Sequence, residues 1–134
     1  ALAIVHNLYG RGQAIYCAVD LDASEVHRAV LVELLRRLAP PFSFEADAPV
    51  PVEVTLWRQP DQRRFILTLV NFPKDLPSIA MEGIRVRVRL HGRVPTRVTL
   101  LPEQQAIAYT LSEDYLVLEA PRLETLAMFA IEYA

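Results

Sequence analysis

Apolar and polar residues alternate with a period of two through most of the chain after residue 41, a pattern typical of strands with one buried face. The alternation is most regular over residues 84–90, where isoleucine, valine and leucine alternate with arginine. Six further strand-like segments cover residues 50–58, 64–71, 94–101, 106–111, 115–119 and 126–133. About seven short strands, separated by frequent turn residues, predict an antiparallel β-sandwich over residues 42–134.

Two short connections predict which strands are joined. The turn Gln59-Pro60-Asp61-Gln62 leads from residues 50–58 into residues 64–71. The turn His91-Gly92-Arg93 is expected to join the two strands that flank it as a hairpin. The apolar face of each strand then predicts this set of core side chains: Leu56, Phe65, Leu67, Leu69, Val86, Val88, Val98, Leu100, Leu118, Phe129 and Ile131.

Residues 1–41 follow a different pattern and are predicted to belong to a separate piece of structure. A strand over residues 2–6 and a strand over residues 13–19 flank the turn Gly10-Arg11-Gly12. This turn resembles a truncated phosphate-binding loop, but it lacks the third glycine and a strand follows it instead of a helix. We therefore expect a β-hairpin here.

An amphipathic helix is predicted after this hairpin, because apolar residues from Val26 to Leu38 recur at helical spacing. Asp22, with Glu25 three residues later, fits a capping box, and Ser24 is the alternative N-cap. The pair Pro40-Pro41 is expected to end the helix.

Composition excludes several classes of protein. The chain of 134 residues is 52% hydrophobic and 22% charged, which is not the composition of a disordered tail. The formal net charge of −2 gives no reason to expect a nucleic-acid partner. No apolar run approaches the roughly 20 residues that cross a bilayer, so no membrane partner is expected.

The single cysteine, Cys17, excludes an intrachain disulfide. It lies in an apolar strand, so an inert, buried thiol is the favoured interpretation and a reactive thiol the alternative. The first residue, Ala1, leads directly into an apolar strand without an initiator Met or signal peptide. We expect an excised piece of a cytoplasmic protein whose native N-terminus is missing.

Trp57 is the first candidate binding residue. Alternation places it with Glu53 and Thr55 on the face opposite the core. An exposed Trp there stacks on a sugar ring or anchors an interface, whereas the alternative is a Trp packed in a second apolar layer.

Arg85, Arg87 and Arg89 form the second candidate, a basic stripe on one strand face with Arg97 expected nearby. Such a stripe binds an anionic partner, or it is a solvated face whose charges meet glutamates on neighbouring strands. The solvated face is the favoured interpretation.

No catalytic, metal or cofactor site is predicted. The three histidines, His6, His27 and His91, show no metal-ligand spacing. The carboxylate pairs Glu113-Asp114 and Asp20/Asp22 fall in a turn and at a helix start, rather than across a cleft as glycoside hydrolysis requires.

Residues 9–21, from Tyr9 through the Gly-Arg-Gly turn to Asp20-Leu21, resemble the last strands of the trimerisation-type domain of β-galactosidase-like proteins. That module is flavodoxin- or amidotransferase-like and follows a TIM-barrel hydrolase domain. Residues 54–59 and 67–72 are similar to the paired first strands of the β-sandwich that ends such chains, and residues 84–90 and 98–103 to its middle. The resemblance implies a terminal hairpin and helix of an α/β domain in residues 1–41 and a C-terminal sandwich in residues 42–134.

The family's catalytic carboxylates lie in the barrel, so the resemblance carries no catalytic residue to this chain. We expect a non-catalytic accessory module of a glycoside hydrolase that supports domain packing or oligomerisation. Its expected partners are the upstream catalytic domain and a second copy in a homodimer. The alternatives are a carbohydrate-binding module that uses Trp57 and nearby tyrosines, and a small enzyme of unrecognised type.

Overall fold

The structure, a computed structural model, describes residues 3–22, 24–39, 41–75 and 77–134. The chain divides into two compact units, one ending at Phe42 and the other running from Ser43 to Ala134. In the described residues the secondary structure is mainly antiparallel strand with one α-helix. The mainly β fold class predicted from the sequence is confirmed.

The N-terminal unit begins with a hairpin of strands β1 (Ile4–Tyr9) and β2 (Gly12–Cys17). Tyr9 pairs with Gly12, which leaves a two-residue turn whose first residue, Gly10, has a φ of 58°. A glycine with positive φ at this position suits the tight turns that match strand twist. The hairpin prediction is therefore confirmed, although Leu2, at the start of the predicted first strand, lies outside the described residues.

Helix α1 (Glu25–Leu38) follows the hairpin, and its N-cap is Ser24, not Asp22. The Ser24 Oγ accepts a hydrogen bond from the His27 backbone N–H, while Asp22 Oδ1 accepts one from the Ser24 N–H at 2.8 Å. These contacts with Ser24, followed by a hydrogen bond to His27, hold the pKa of Asp22 below its ordinary value. Pro40, expected to stop the helix, lies outside the described residues.

The described side chains of the N-terminal unit form no buried core. Every described residue of this unit is exposed or only partly buried, including all of α1. Cys17 is only partly buried, and its Sγ lies 3.4 Å from the Val19 carbonyl oxygen. The prediction of a buried thiol is wrong, because two strands and one helix supply too little surface to enclose it.

The C-terminal unit is built from nine strands in its described residues. They are β3 (Phe44–Asp47), β4 (Val52–Gln59), β5 (Arg64–Asn71), β6 (Arg85–Arg89), β7 (Pro95–Leu101), β8 (Gln105–Ala106), β9 (Tyr109–Ser112), β10 (Tyr115–Glu119) and β11 (Leu126–Tyr133). One antiparallel sheet has the order β3-β6-β10-β9 and the other the order β4-β5-β11-β7-β8. Their inner faces share one core, as in a β-sandwich.

Two details of the predicted topology are wrong. The turn at His91 and Gly92 does not close a hairpin but carries the chain from the four-stranded sheet to the five-stranded sheet. The two strands have other partners, since β6 pairs with β3 and β10, and β7 pairs with β11 and β8. The predicted strand over residues 106–111 is divided between β8 and β9, which belong to different sheets.

The predicted core of the sandwich is confirmed. Nine of its eleven members are buried, and Leu56 and Leu100 are partly buried against the same cluster. Sequence reasoning missed Ile84, Leu90, Leu116 and Leu123, which are also buried. Ile84 and Leu90 continue the alternation of residues 84–90, although they are not in the predicted core set, whereas Leu123 lies between two strands, where alternation gives no signal.

Candidate functional site

Trp57 lies on β4, an edge strand of the five-stranded sheet, and 69% of it is exposed. Its neighbours Glu53 and Thr55 are exposed on the same outer face, as the alternation predicted. The register places Trp57 beside Ile66 on β5, and Ile66 lies beside Ala130 on β11. A large exposed ring therefore borders a row of buried, uncharged side chains on the sheet.

The tyrosines expected beside Trp57 lie elsewhere. Tyr109 and Tyr115 belong to the four-stranded sheet. The Tyr133 ring packs against Phe65, with ring centroids 5.2 Å apart. Trp57 is thus the only aromatic residue that β4 contributes to its outer face.

Arg85, Arg87 and Arg89 lie on β6, on the outer face of the four-stranded sheet, because Val86 and Val88 between them point into the core. The structure does not bring this stripe together with Trp57, since the two belong to opposite outer faces of the sandwich.

Carboxylates meet the stripe from the neighbouring strands. Arg87 lies 3.6 Å from Glu45 on β3 and 4.7 Å from the centre of the Tyr115 ring. Arg89 Nε donates to Asp114 Oδ2 at 3.0 Å. Arg97 lies on β7 in the other sheet, so its expected place near the stripe is wrong. The contacts of Arg87 and Arg89 fit a solvated face on which arginines are matched by acidic neighbours.

A pair of arginines, missed by sequence reasoning, lines a cavity of about 400 Å³ in the C-terminal unit. We call it the arginine-lined cavity, and its lining residues are Ser43, Leu56, Arg58, Phe65, His91 and Arg93. Arg58 follows Leu56 on the inward-facing side of β4, near the end of the strand. The crossover turn between β6 and β7 supplies His91 and Arg93.

Hydrogen bonds and ring contacts hold this crossover turn in place. Gly92 N–H donates to Asp114 Oδ1 at 2.8 Å, and Arg93 Nη1 donates to the Leu90 carbonyl at 3.0 Å. The Arg93 guanidinium lies 5.8 Å from the centre of the Phe65 ring, within cation–π range. It also lies 5.2 Å from the centre of the Tyr133 ring.

The same turn determines the ionisation of Asp114. The Gly92 N–H, followed by Arg89, holds the pKa of Asp114 below its ordinary value, against the opposing effect of desolvation. Asp114 is therefore an anion engaged with Gly92 and Arg89 at ordinary pH.

No signal in the sequence revealed the arginine-lined cavity. The cavity depends on a crossover from one sheet to the other, whereas the spacing of the two strands predicts a hairpin.

Among residues 3–22, 24–39, 41–75 and 77–134, no three His, Cys, Asp or Glu side chains come close enough to hold a metal ion. The same described part of the chain has no helix with the length and apolarity needed to span a membrane. The cytoplasmic location and the absence of a cofactor remain predictions.

Comparison with known proteins gives one similar solved structure. No family model and no curated protein matches the sequence. The chain is similar to a structure of alpha-L-fucosidase isoenzyme 2 from Paenibacillus thiaminolyticus, with a TM-score of 0.68 and 24% sequence identity. The match covers 81% of this chain and 18% of the fucosidase chain. At this level of identity the likeness establishes a shared fold.

The matched region is larger than the sandwich alone. Residues 43–134 make up about two thirds of the chain, so a match over 81% of it includes part of the N-terminal unit. The neighbour is a glycoside hydrolase, the class of enzyme to which the sequence resemblance pointed. Membership of the β-galactosidase-like proteins stays a prediction.

Proposed function

We propose that this chain is an accessory module of a glycoside hydrolase and has no catalytic site of its own. The observation that carries the proposal is the extent of the fold match, which takes in 81% of this chain but 18% of the fucosidase. A fold that recurs as a minor part of a much longer hydrolase is suited to supporting a catalytic domain that lies elsewhere in the polypeptide.

The placement of the carboxylates supports this proposal. Hydrolysis of a glycosidic bond ordinarily needs two carboxyl groups that face each other across the bond, with roughly 5–10 Å between them. Asp114 is engaged by Gly92 and Arg89, and Glu45 lies beside Arg87. Glu113 is exposed in a turn. None of these three carboxylates lines the arginine-lined cavity.

The N-terminal unit is proposed to be the part that docks. In its described residues it exposes apolar side chains without burying any. The larger ones with at least 38% exposure are Ile4, Val5, Leu8, Tyr9, Tyr16, Val19, Val26, Leu31, Leu35 and Leu38. Exposed apolar surface of this kind recruits partners. Its partner in the full polypeptide is the upstream catalytic domain, and in the isolated chain it is a second copy.

An activity assay tests the absence of catalysis. The purified chain is incubated with aryl glycosides, including an α-L-fucoside and a β-galactoside, and product release is compared with a buffer blank. We expect no turnover above the blank. Turnover that the variant Glu113→Gln abolishes, while the variant remains folded, would refute the proposal.

A carbohydrate-binding module is the second candidate function. It is favoured by Trp57, which is 69% exposed on β4. Indole rings contribute large apolar area with little loss of conformational entropy, which suits stacking on a sugar.

A further inference from the structure

We propose that the arginine-lined cavity binds a small ligand that combines a carboxylate with a sugar-sized ring, a uronate being the simplest example. The inference does not rest on the proposed accessory role. It rests on the charge of the cavity, the contacts that hold Arg93 in place and the apolar wall that Leu56 provides.

The charge of the cavity is unbalanced. Arg58 and Arg93 line it, and no carboxylate is among its lining residues. Neither arginine has a carboxylate oxygen within 4.0 Å among the described residues. The chain as a whole has more acidic than basic residues and a net charge of −2, so this local excess of positive charge does not follow from composition.

The cavity contrasts with the stripe on the outer face of the four-stranded sheet. There Arg87 and Arg89 are matched by Glu45 and Asp114. Asp114, which contacts the crossover turn, is already engaged by Gly92 N–H and Arg89. An anion from outside the described part of the chain can therefore pair with the arginines of the cavity.

Arg93 is held in place before any ligand arrives. Its Nη1 is bonded to the Leu90 carbonyl, and its guanidinium lies over the rings of Phe65 and Tyr133. Its other N–H groups make no hydrogen bond to the described residues. A guanidinium fixed in this way loses little conformational entropy when it binds, and its planar fork matches a carboxylate in a two-point contact.

The remaining lining residues indicate what accompanies the carboxylate. Leu56, which is partly buried, gives the cavity an apolar wall, and Ser43 adds a hydroxyl group, whereas the Phe65 ring is buried with the Arg93 guanidinium 5.8 Å from its centre. A volume of about 400 Å³ is at the small end of ligand pockets and suits one ring rather than a long chain. A ring against the Leu56 wall and a carboxylate against the arginines use both properties of the cavity, whereas inorganic phosphate uses only one.

A titration followed by two-dimensional NMR tests the proposal. The ¹⁵N-labelled full chain is titrated with galacturonate and, separately, with galactose, which has the same ring without the carboxylate. We expect galacturonate to shift the backbone amide signals of Ser43, His91 and Gly92, and galactose to leave them in place. Equal binding of the two sugars, no binding of galacturonate, or shifts confined to the surroundings of Trp57 would overturn the proposal.

Two matched variants identify the charges that bind. Arg58→Gln removes a lining guanidinium and is expected to weaken galacturonate binding about 10-fold to 100-fold, the range for losing a charge-assisted hydrogen bond. Arg97→Gln removes an exposed arginine that does not line the cavity and is expected to bind like the parent chain. Galacturonate affinity that Arg58→Gln leaves unchanged, in a variant that melts like the parent, would also overturn it.

Discussion

At the scale of single residues, buried side chains on the inner faces of the sandwich stabilise the fold, whereas exposed side chains on the outer faces are available for binding. Leu69 is fully buried, whereas Leu126 on β11 is 58% exposed. A period of two places these leucines on opposite faces of the same sheet. Truncating them is therefore expected to have very different effects on stability.

Leu69→Ala is expected to lower the free energy of unfolding by about 2–5 kcal/mol, because it removes buried methyl groups and leaves a cavity. Leu126→Ala, the matched control, is expected to cost no more than about 0.5 kcal/mol. Urea denaturation followed by circular dichroism measures both. A small loss for Leu69→Ala combined with a large one for Leu126→Ala would mean that the face assignment is wrong by one residue.

Trp57 is expected to report sugar binding if the second candidate function applies. It is the single tryptophan of the chain, so a change in tryptophan fluorescence on adding a sugar arises at this site. Trp57→Ala is expected to abolish sugar binding measured by calorimetry and to leave the melting temperature nearly unchanged, because the ring is largely exposed. Sugar binding that survives this substitution would contradict the assignment.

Asp114 is expected to stabilise the fold in a pH-dependent way. The Gly92 N–H and Arg89 lower its pKa in the folded state, so its stabilisation is complete above the ordinary carboxyl pKa of about 4 and is lost as pH falls through the lowered value. The difference in unfolding free energy between the parent chain and Asp114→Ala should thus be largest near neutral pH and shrink in acid. Glu113→Ala, in the same turn, is the control. A difference that grows in acid would contradict the sign.

At the scale of elements, alternation predicted strands wherever the strand itself carries the signal. β5 and β10 lie where the pattern predicted them, with Arg64–Asn71 and Tyr115–Glu119 as bounds. β3 was missed, because Phe44–Asp47 is short and contains no β-branched residue. It forms a strand by pairing with β6, and that pairing brings Glu45 opposite Arg87.

The arginine-lined cavity illustrates the limit of sequence reasoning at this scale. A three-residue connection between two strands ordinarily predicts a hairpin, and nothing in His91-Gly92-Arg93 indicates a change of sheet. The crossover follows from the pairing of β6 with β10 and of β7 with β11, which are long-range contacts. Candidate residues on one strand were therefore predictable, whereas a site assembled from two sheets was not.

The N-terminal unit is expected to make the isolated chain a dimer. Leu31 and Leu35 are exposed on α1, and Leu111 is exposed on β9 of the sandwich. Light scattering should give the mass of a dimer for the parent chain and for the control Leu111→Asp. The double substitution Leu31→Asp and Leu35→Asp, or removal of residues 1–42, should give a monomer. A parent chain that is monomeric at high concentration would contradict the docking role.

At the scale of the whole molecule, a sandwich with a buried core follows a unit whose described residues form no buried core. The sandwich contains all the buried residues of the described core. The N-terminal unit contributes exposed apolar surface instead. In the proposed accessory module, one part is expected to fold by itself and the other is expected to gain its stability from a partner.

The most direct test of the accessory role compares glycosidase activity in the polypeptide that carries this chain, in the same polypeptide without residues 43–134, and in the isolated chain. We predict hydrolysis of an aryl glycoside by the full polypeptide and none by the isolated chain. We also predict that the truncated polypeptide has a lower melting temperature and therefore a lower total activity. Each truncated molecule that remains folded should keep the catalytic turnover of the full polypeptide. Hydrolysis by the isolated chain, or a full polypeptide inactive on every glycoside tested, would contradict the account.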